Sequence, residues 1–120
     1  MTNTTIHRLK DQDIAAFDLG GGSKIKFAQY IKHPNMTAGF IRLGRGEEIR
    51  DWPYWYEEVV YVTRGTGRIT VWPVPFVSSE THELKAGDLF YIGKATKVTF
   101  HGSDDSFEML YVTTPDSGIG

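Results

Sequence analysis

The densest chemistry in the chain lies between Trp52 and Gly65, where one carboxylate, Glu58, follows Trp52, Tyr54 and Tyr56 at steps of two. Extended backbone sends alternate side chains to opposite faces. A strand running back to Tyr54 therefore sets Tyr54, Tyr56, Glu58 and Val60 on one face. Trp52 joins them if Pro53 keeps the chain extended. Phenols and an indole around one carboxyl make an apolar wall with a few polar tips, the usual composition of a small-molecule site. A carboxylate in such a place is costly unless paired, and burial raises its pKa. Its candidate partners are Tyr54, Tyr56, Lys26 and Arg42. Two readings stand side by side. In one, these residues line a working pocket. In the other, the rings fill a barrel and Glu58 is a structural carboxylate, bonded to a tyrosine or to an arginine such as Arg64 or Arg68. Glu57 faces outward if Glu58 faces in.

Other residue types offer less. The four histidines, His7, His33, His82 and His101, stand at no mutual step of two or four, so none forms a local chelate. Zinc and related ions want three or four nitrogen, sulfur or carboxylate ligands. Solvent-exposed histidines are the expectation. Absence of cysteine removes disulfides, thiolate clusters and a cysteine nucleophile. Ser103, Asp104 and His101 crowd one short loop without the order of a nucleophilic triad. The run Gly20-Gly21-Gly22-Ser23-Lys24 lacks phosphate-loop spacing and precedes a strand pattern rather than a helix. The expected cofactor is none. The alternative is a metal held through Glu58 and ligands from distant strands.

The elements that must hold these residues have period two, not 3.6. Strand patterns run over Lys24–Tyr30, Thr37–Leu43, Glu58–Thr63, Arg68–Trp72, Asp88–Ile92, Lys97–Phe100 and Phe107–Thr113, rich in Val, Ile, Thr and aromatics. Glycine turns separate them at 20–22, 44–46, 65–67, 86–88 and 101–104. Only Ile6–Phe17 could be helical. The two prolines of Trp72–Glu80 deny donors to a central ladder, which predicts an edge or a protruding hairpin. Its Trp72, Phe76 and Val77 pack either on their own barrel or on a second subunit. Gly118–Gly120 reads as a loose tail.

At 120 residues the chain is expected to form one domain spanning 1–120, with a barrel core at about 36–113 and an N-terminal arm at 1–35. A net charge of −2 with no run of five like charges argues against nucleic-acid binding. No apolar run approaches the roughly 18 residues that span a membrane, and the amino terminus lacks the order of a signal peptide. A soluble cytoplasmic protein is the expectation.

Glu58 and Gly65, with six residues between them and Gly46 upstream, followed by Gly87-Asp88 and a strand, resemble the two signature segments of the cupin superfamily. The resemblance implies an all-β fold, a single cupin jelly-roll barrel. It also implies where metal ligands would stand, and those histidine positions hold Trp52, Tyr54 and Val98. In the second segment Gly93 stands for proline and Ala95 for glycine. Within the cupins the chain is similar to the EutQ-like proteins of ethanolamine utilisation, through Trp55-Tyr56-Glu57-Glu58, Val98 and Met109-Leu110-Tyr111-Val112. The sequence shows no counterpart of the long segment that precedes the cupin in those proteins. The resemblance spans Met36–Thr113. It implies a degenerate metal site and an aromatic-walled pocket lined by Trp52, Tyr54, Tyr56, Glu58 and Val98. The expected ligand is a small polar or anionic molecule and the expected assembly a homodimer. Three alternatives remain: a metal-dependent enzyme built on Glu58, an acetate-kinase-like enzyme, and a scaffold with a filled barrel.

Overall fold

The structure, a computed structural model, describes residues 4, 6–9 and 26–115. Nine strands occur among them: β1 Lys26–His33, β2 Met36–Leu43, β3 Glu48–Tyr54, β4 Glu58–Arg64, β5 Thr66–Pro73, β6 Glu80–Lys85, β7 Leu89–Ile92, β8 Thr96–Gly102 and β9 Phe107–Thr113. They form two antiparallel sheets. One has the order β1-β2-β9-β4-β7 and the other β3-β8-β5-β6. The all-β expectation holds. Among the described residues there is no helix, and residues 6–9 of the helix candidate have no regular structure. The rest of that candidate, the turn at 20–22 and the tail at 118–120 lie outside the described residues.

Alternation explains why these segments are strands. In β9, Phe107, Met109, Tyr111 and Thr113 point inward, while Leu110 and Val112 point out. In β8, Val98 and Phe100 are fully buried between more exposed neighbours. The two inner faces meet in one core that includes Leu43, Val60, Val62, Ile69, Phe100 and Phe107. Gly67 leaves room for the Phe107 ring, whose atoms lie 2.4 and 2.5 Å from where a Cβ would stand. On the outer face of the five-stranded sheet, Val59 sits opposite Tyr91 and Val112, and Tyr61 opposite Leu89 and Leu110. Beyond that apolar ladder, the buried Glu108 accepts a bond of 2.6 Å from Arg42 Nε and one of 2.6 Å from the Thr63 hydroxyl.

The strands differ from the sequence expectation in two places. Two strands, Glu48–Tyr54 and Glu80–Lys85, carry no clear period-two signal. The first is kinked by a bulge between Ile49 and Trp52 and contains Pro53. The second is an edge strand with only Leu84 buried. His33 ends β1 and is exposed, as expected of the histidines. The segment Tyr54–Glu58 is not one strand. Tyr54 closes β3 in one sheet, Glu58 opens β4 in the other, and the chain bends at Trp55-Tyr56 to cross between them.

The hairpin between β5 and β6 protrudes at 74–79. The Lys97 ammonium lies 5.1 Å from the Trp72 ring and 5.7 Å from the Phe76 ring, so both pack on β8 of their own chain. The other end of this corner is Ala95, whose amide donates to the Tyr54 carbonyl at 2.8 Å. Ala95 has φ 60°, in the left-handed region, at the position where the second cupin segment has glycine. A Cβ there costs roughly 1 kcal/mol, of which the flexible unfolded state of glycine returns part. Ala95→Gly is therefore expected to raise stability by roughly 0.5 kcal/mol, about 2–4 °C in melting temperature. A lower melting temperature would mean that Ala95 carries no strain.

Candidate functional site

Between the two sheets opens a cavity of about 330 Å³. Phe27 and Gln29 reach it from β1, Thr37 and Ile41 from β2, Ile49, Trp52 and Tyr54 from β3, and Tyr56 from the corner. Glu58 comes from β4, Phe100 from β8, and Tyr111 and Thr113 from β9. Four of the residues singled out in the sequence, Trp52, Tyr54, Tyr56 and Glu58, are thus gathered around one space. They arrive by a sheet-to-sheet corner rather than by alternation along one strand. Val98 does not line the cavity; it is fully buried in the packed core, opposite Trp52 across the β3–β8 ladder.

Local geometry fixes each side chain. Asp51, a non-glycine residue with φ 54°, forms the bulge ahead of Trp52 and donates its amide to Thr99 Oγ1 at 3.0 Å. Bulges re-aim the side chains that follow them. Here the bulge sets Trp52, 46% exposed, at the mouth, where its Nε1 donates to the Tyr56 hydroxyl at 2.9 Å. The corner is clasped from outside. The Glu57 amide donates to Thr114 Oγ1 at 2.9 Å, the Thr114 amide returns to the Glu57 carbonyl at 3.0 Å, and the Tyr91 hydroxyl donates to the Glu57 carboxylate. Glu57 therefore faces away from the cavity.

At the base, the Tyr54 hydroxyl donates to Glu58 Oε2 at 2.6 Å. Glu58 is 4% exposed, and burial pushes its carboxyl up to about 7, against the hydrogen bond from Tyr54. Burial, then the Glu58 charge, holds the Tyr54 phenol well above its ordinary value. Arg42 is not the partner of Glu58; it is bound to Glu108 on the outside of the sheet. Tyr111 stacks on Phe27 with ring centroids 5.4 Å apart. Its hydroxyl is buried and receives no hydrogen bond of normal geometry among the described residues. Burial and then the Glu58 charge raise the Tyr111 phenol, partly offset by the Gln29 side chain. The sequence reading passed over Tyr111, Phe27 and Gln29 as site residues. The inward parity of Tyr111 with Phe107 and Met109 was the available signal.

The histidines sit elsewhere. His101 is not on an exposed loop but in β8, half-buried, with Nδ1 3.0 Å from Glu48 Oε1. Arg50, then His101, hold the Glu48 carboxyl below its usual range. His82 lies beside Glu80 on exposed β6, and His7 packs near the Tyr30 ring. Asp104 accepts from the amides of Ser106 and Thr66, which lowers its carboxyl, Ser106 first, and ties it to the turn at Gly65. It makes no triad with His101.

Cupin enzymes hold a metal through histidines and a glutamate. In this chain Glu58 has phenols and an indole for neighbours, and among the described residues no three of His, Cys, Asp and Glu stand together as a ligand set. One carboxyl bonded to a tyrosine does not fit a transition metal.

No family model and no curated protein matches the chain. Solved structures are similar in shape. KdgF from Halomonas sp. matches with a TM-score of 0.73 at 16% identity, over 88% of this chain and 92% of that one. An RmlC-like cupin from Methanocaldococcus jannaschii matches with 0.72 at 14% identity, over 97% and 94%. The EutQ protein of Clostridium difficile matches with 0.65 at 21% identity, over 92% and 76%. With nine strands in two facing antiparallel sheets and these matches in shape, the chain is a cupin by fold, of the RmlC-like barrel type, with EutQ among its structural neighbours.

Proposed function

We propose that the barrel binds a small polar molecule in the cavity over Glu58. The observation that carries this reading is the pair of polar groups left for a ligand in an aromatic enclosure. One is the carboxyl of Glu58, bonded by described residues on one oxygen only; the other is the buried Tyr111 hydroxyl, which has the Gln29 side chain beside it but no hydrogen bond of normal geometry among the described residues. Buried polar atoms are nearly always bonded, and a native exception points to a missing partner. The space of about 330 Å³ argues against a filled barrel. An anionic ligand, also expected from the sequence, would meet no cationic side chain among the described lining residues. Among the described residues the metal-dependent alternative has no ligand set, and the sequence offers the acetate-kinase-like alternative no phosphate-loop spacing. The reading is of a binding module in the cytoplasm, with no part for nucleic acid or membrane. Among the described residues no helix is long and apolar enough to cross a membrane.

The test is a thermal-shift screen of small polar compounds on the wild type, repeated on Tyr111→Phe. Removing an unbonded buried hydroxyl should leave stability within about 1 kcal/mol. It should weaken binding of the compounds found by roughly tenfold, the value of one hydrogen bond in a closed site. Hits that keep their full shift in Tyr111→Phe would refute the placement of the ligand.

Two copies are proposed to pair. The exposed Val59, Tyr61, Leu89, Tyr91 and Val112 form a broader apolar face than the hairpin, whose Trp72 and Phe76 are already engaged with Lys97. Sheet faces of this kind suit self-association. Light scattering is expected to give twice the monomer mass at micromolar concentration. Tyr61→Glu with Leu89→Glu is expected to return the monomer mass; a wild type already at that mass would end the proposal.

A further inference from the structure

We propose that the ligand of this cavity is a small organic cation, a protonated amine seated with its nitrogen on the free oxygen of Glu58 and against the faces of the surrounding rings. The inference rests on the reading that the cavity binds a ligand, and it names the charge of that ligand.

The charge inventory is one-sided. The described lining residues include one carboxyl, Glu58, and no lysine, arginine or histidine. Two described basic side chains of the flanking strands are committed elsewhere. Arg42 bonds Glu108 on the far side of the sheet, and Lys97 lies over Trp72 and Phe76. An anion entering here would lose its hydration and find no counter-charge among the described residues, which disfavours it. A cation meets the opposite situation. Tyr54 holds Oε2 of Glu58, and no hydrogen bond from a described residue takes Oε1. An N–H donor completes that carboxylate.

The walls favour the same sign. Phe27, Trp52, Tyr54, Tyr56, Phe100 and Tyr111 surround the space. Ring faces carry the negative end of the aromatic quadrupole and attract ammonium groups, most strongly where water is excluded. The Tyr54 and Tyr56 rings meet at 60° with centroids 5.0 Å apart, so they form a corner rather than a flat stack. The Tyr111 hydroxyl then offers one further bond to a second polar group on the ligand.

Proton linkage follows. The groups that face Glu58 are Tyr54 from β3, Tyr56 from the corner and Tyr111 from β9; on β4's flanks its ladder neighbours are Ile92 and Thr113. Among the described lining residues no second carboxyl shares the cavity. With Glu58 titrating at about 7 when empty, a bound cation favours the ionised form and drives its proton into solution. Affinity for the cation therefore rises with pH through neutrality.

The test uses three probes of one shape and three charges: benzylamine, benzyl alcohol and benzoate. Titrations followed by calorimetry and by NMR shifts of the Trp52 indole run at pH 8 and pH 5.5. Benzylamine is expected to bind at least tenfold more tightly than benzyl alcohol at pH 8, with benzoate weakest. The preference should fall toward unity at pH 5.5 and in Glu58→Gln at pH 8. At pH 7, heats measured in buffers of different ionisation enthalpy should reveal proton release on binding. Benzyl alcohol or benzoate binding as tightly as benzylamine at pH 8 would overturn the cation and leave the binding reading intact. No response to any of the three, with the indole unmoved, would overturn both. The pH arm reads the wild type alone, so the outcome does not depend on how Glu58→Gln folds.

Discussion

Phe107→Ala is expected to destabilise the protein by about 4 kcal/mol, the usual scale for deleting a fully buried phenylalanine. Phe107 is wholly inaccessible, and its ring fills the space left by Gly67 on the opposite sheet. The backbone on both sides is held in ladders, since Phe107 pairs with Leu43 and Gly67 pairs with both Leu84 and Gly102. Collapse into the hole is therefore limited. A loss of that size is a large part of the roughly 5–15 kcal/mol that holds a typical domain together. Urea unfolding should show a much lower midpoint with an unchanged slope. A loss below about 1 kcal/mol would mean the two sheets are not packed as described.

The second large effect is a stability that falls as pH rises through neutrality. Glu58 ionises near its ordinary value of 4.5 in the unfolded chain but at about 7 in the folded one. Between those values the folded state keeps a proton that the unfolded state has released. Raising pH then favours unfolding. The full difference is about 3 kcal/mol, present below pH 4.5 and lost above pH 7. Glu48 and Asp104, whose carboxyls are held low, act in the opposite sense at more acid pH. The comparison of wild type with Glu58→Gln cancels them. Glu58→Gln should equal or trail the wild type near pH 4.5 and exceed it by roughly 2–3 kcal/mol at pH 8. Parallel curves for the two proteins would show that Glu58 is not desolvated.

Both effects depend on features that the sequence discloses unequally. The fold was legible because buried faces impose alternation: Phe107, Met109, Tyr111 and Thr113 in β9, Val60 and Val62 in β4. Where a strand buries little, the pattern disappears. β6 has one inward apolar residue, and β3 carries Arg50, Asp51 and Pro53 around its bulge. The residues of the candidate site could be picked out by type, since one carboxyl among tyrosines is uncommon. Their arrangement could not. Tyr54 and Glu58 meet because the chain turns from one sheet to the other, and a hydrogen bond of 2.6 Å across that corner has no signature in spacing alone. The contributions of Phe27 and Tyr111, some 84 residues apart by their numbers, come from pairing order, which local pattern does not encode.

The place of β9 has a consequence for how the protein is made. It is the ninth strand among the described residues and the third across its sheet, joining β2 on one side to β4 on the other. Until Phe107–Thr113 leaves the ribosome, β1-β2 and β4-β7 are two ribbons without a common strand, each showing an open edge. Such edges invite pairing with other chains. The five-stranded sheet can close only once β9 has emerged, so partly made chains carry these edges and are exposed to wrong pairing until then.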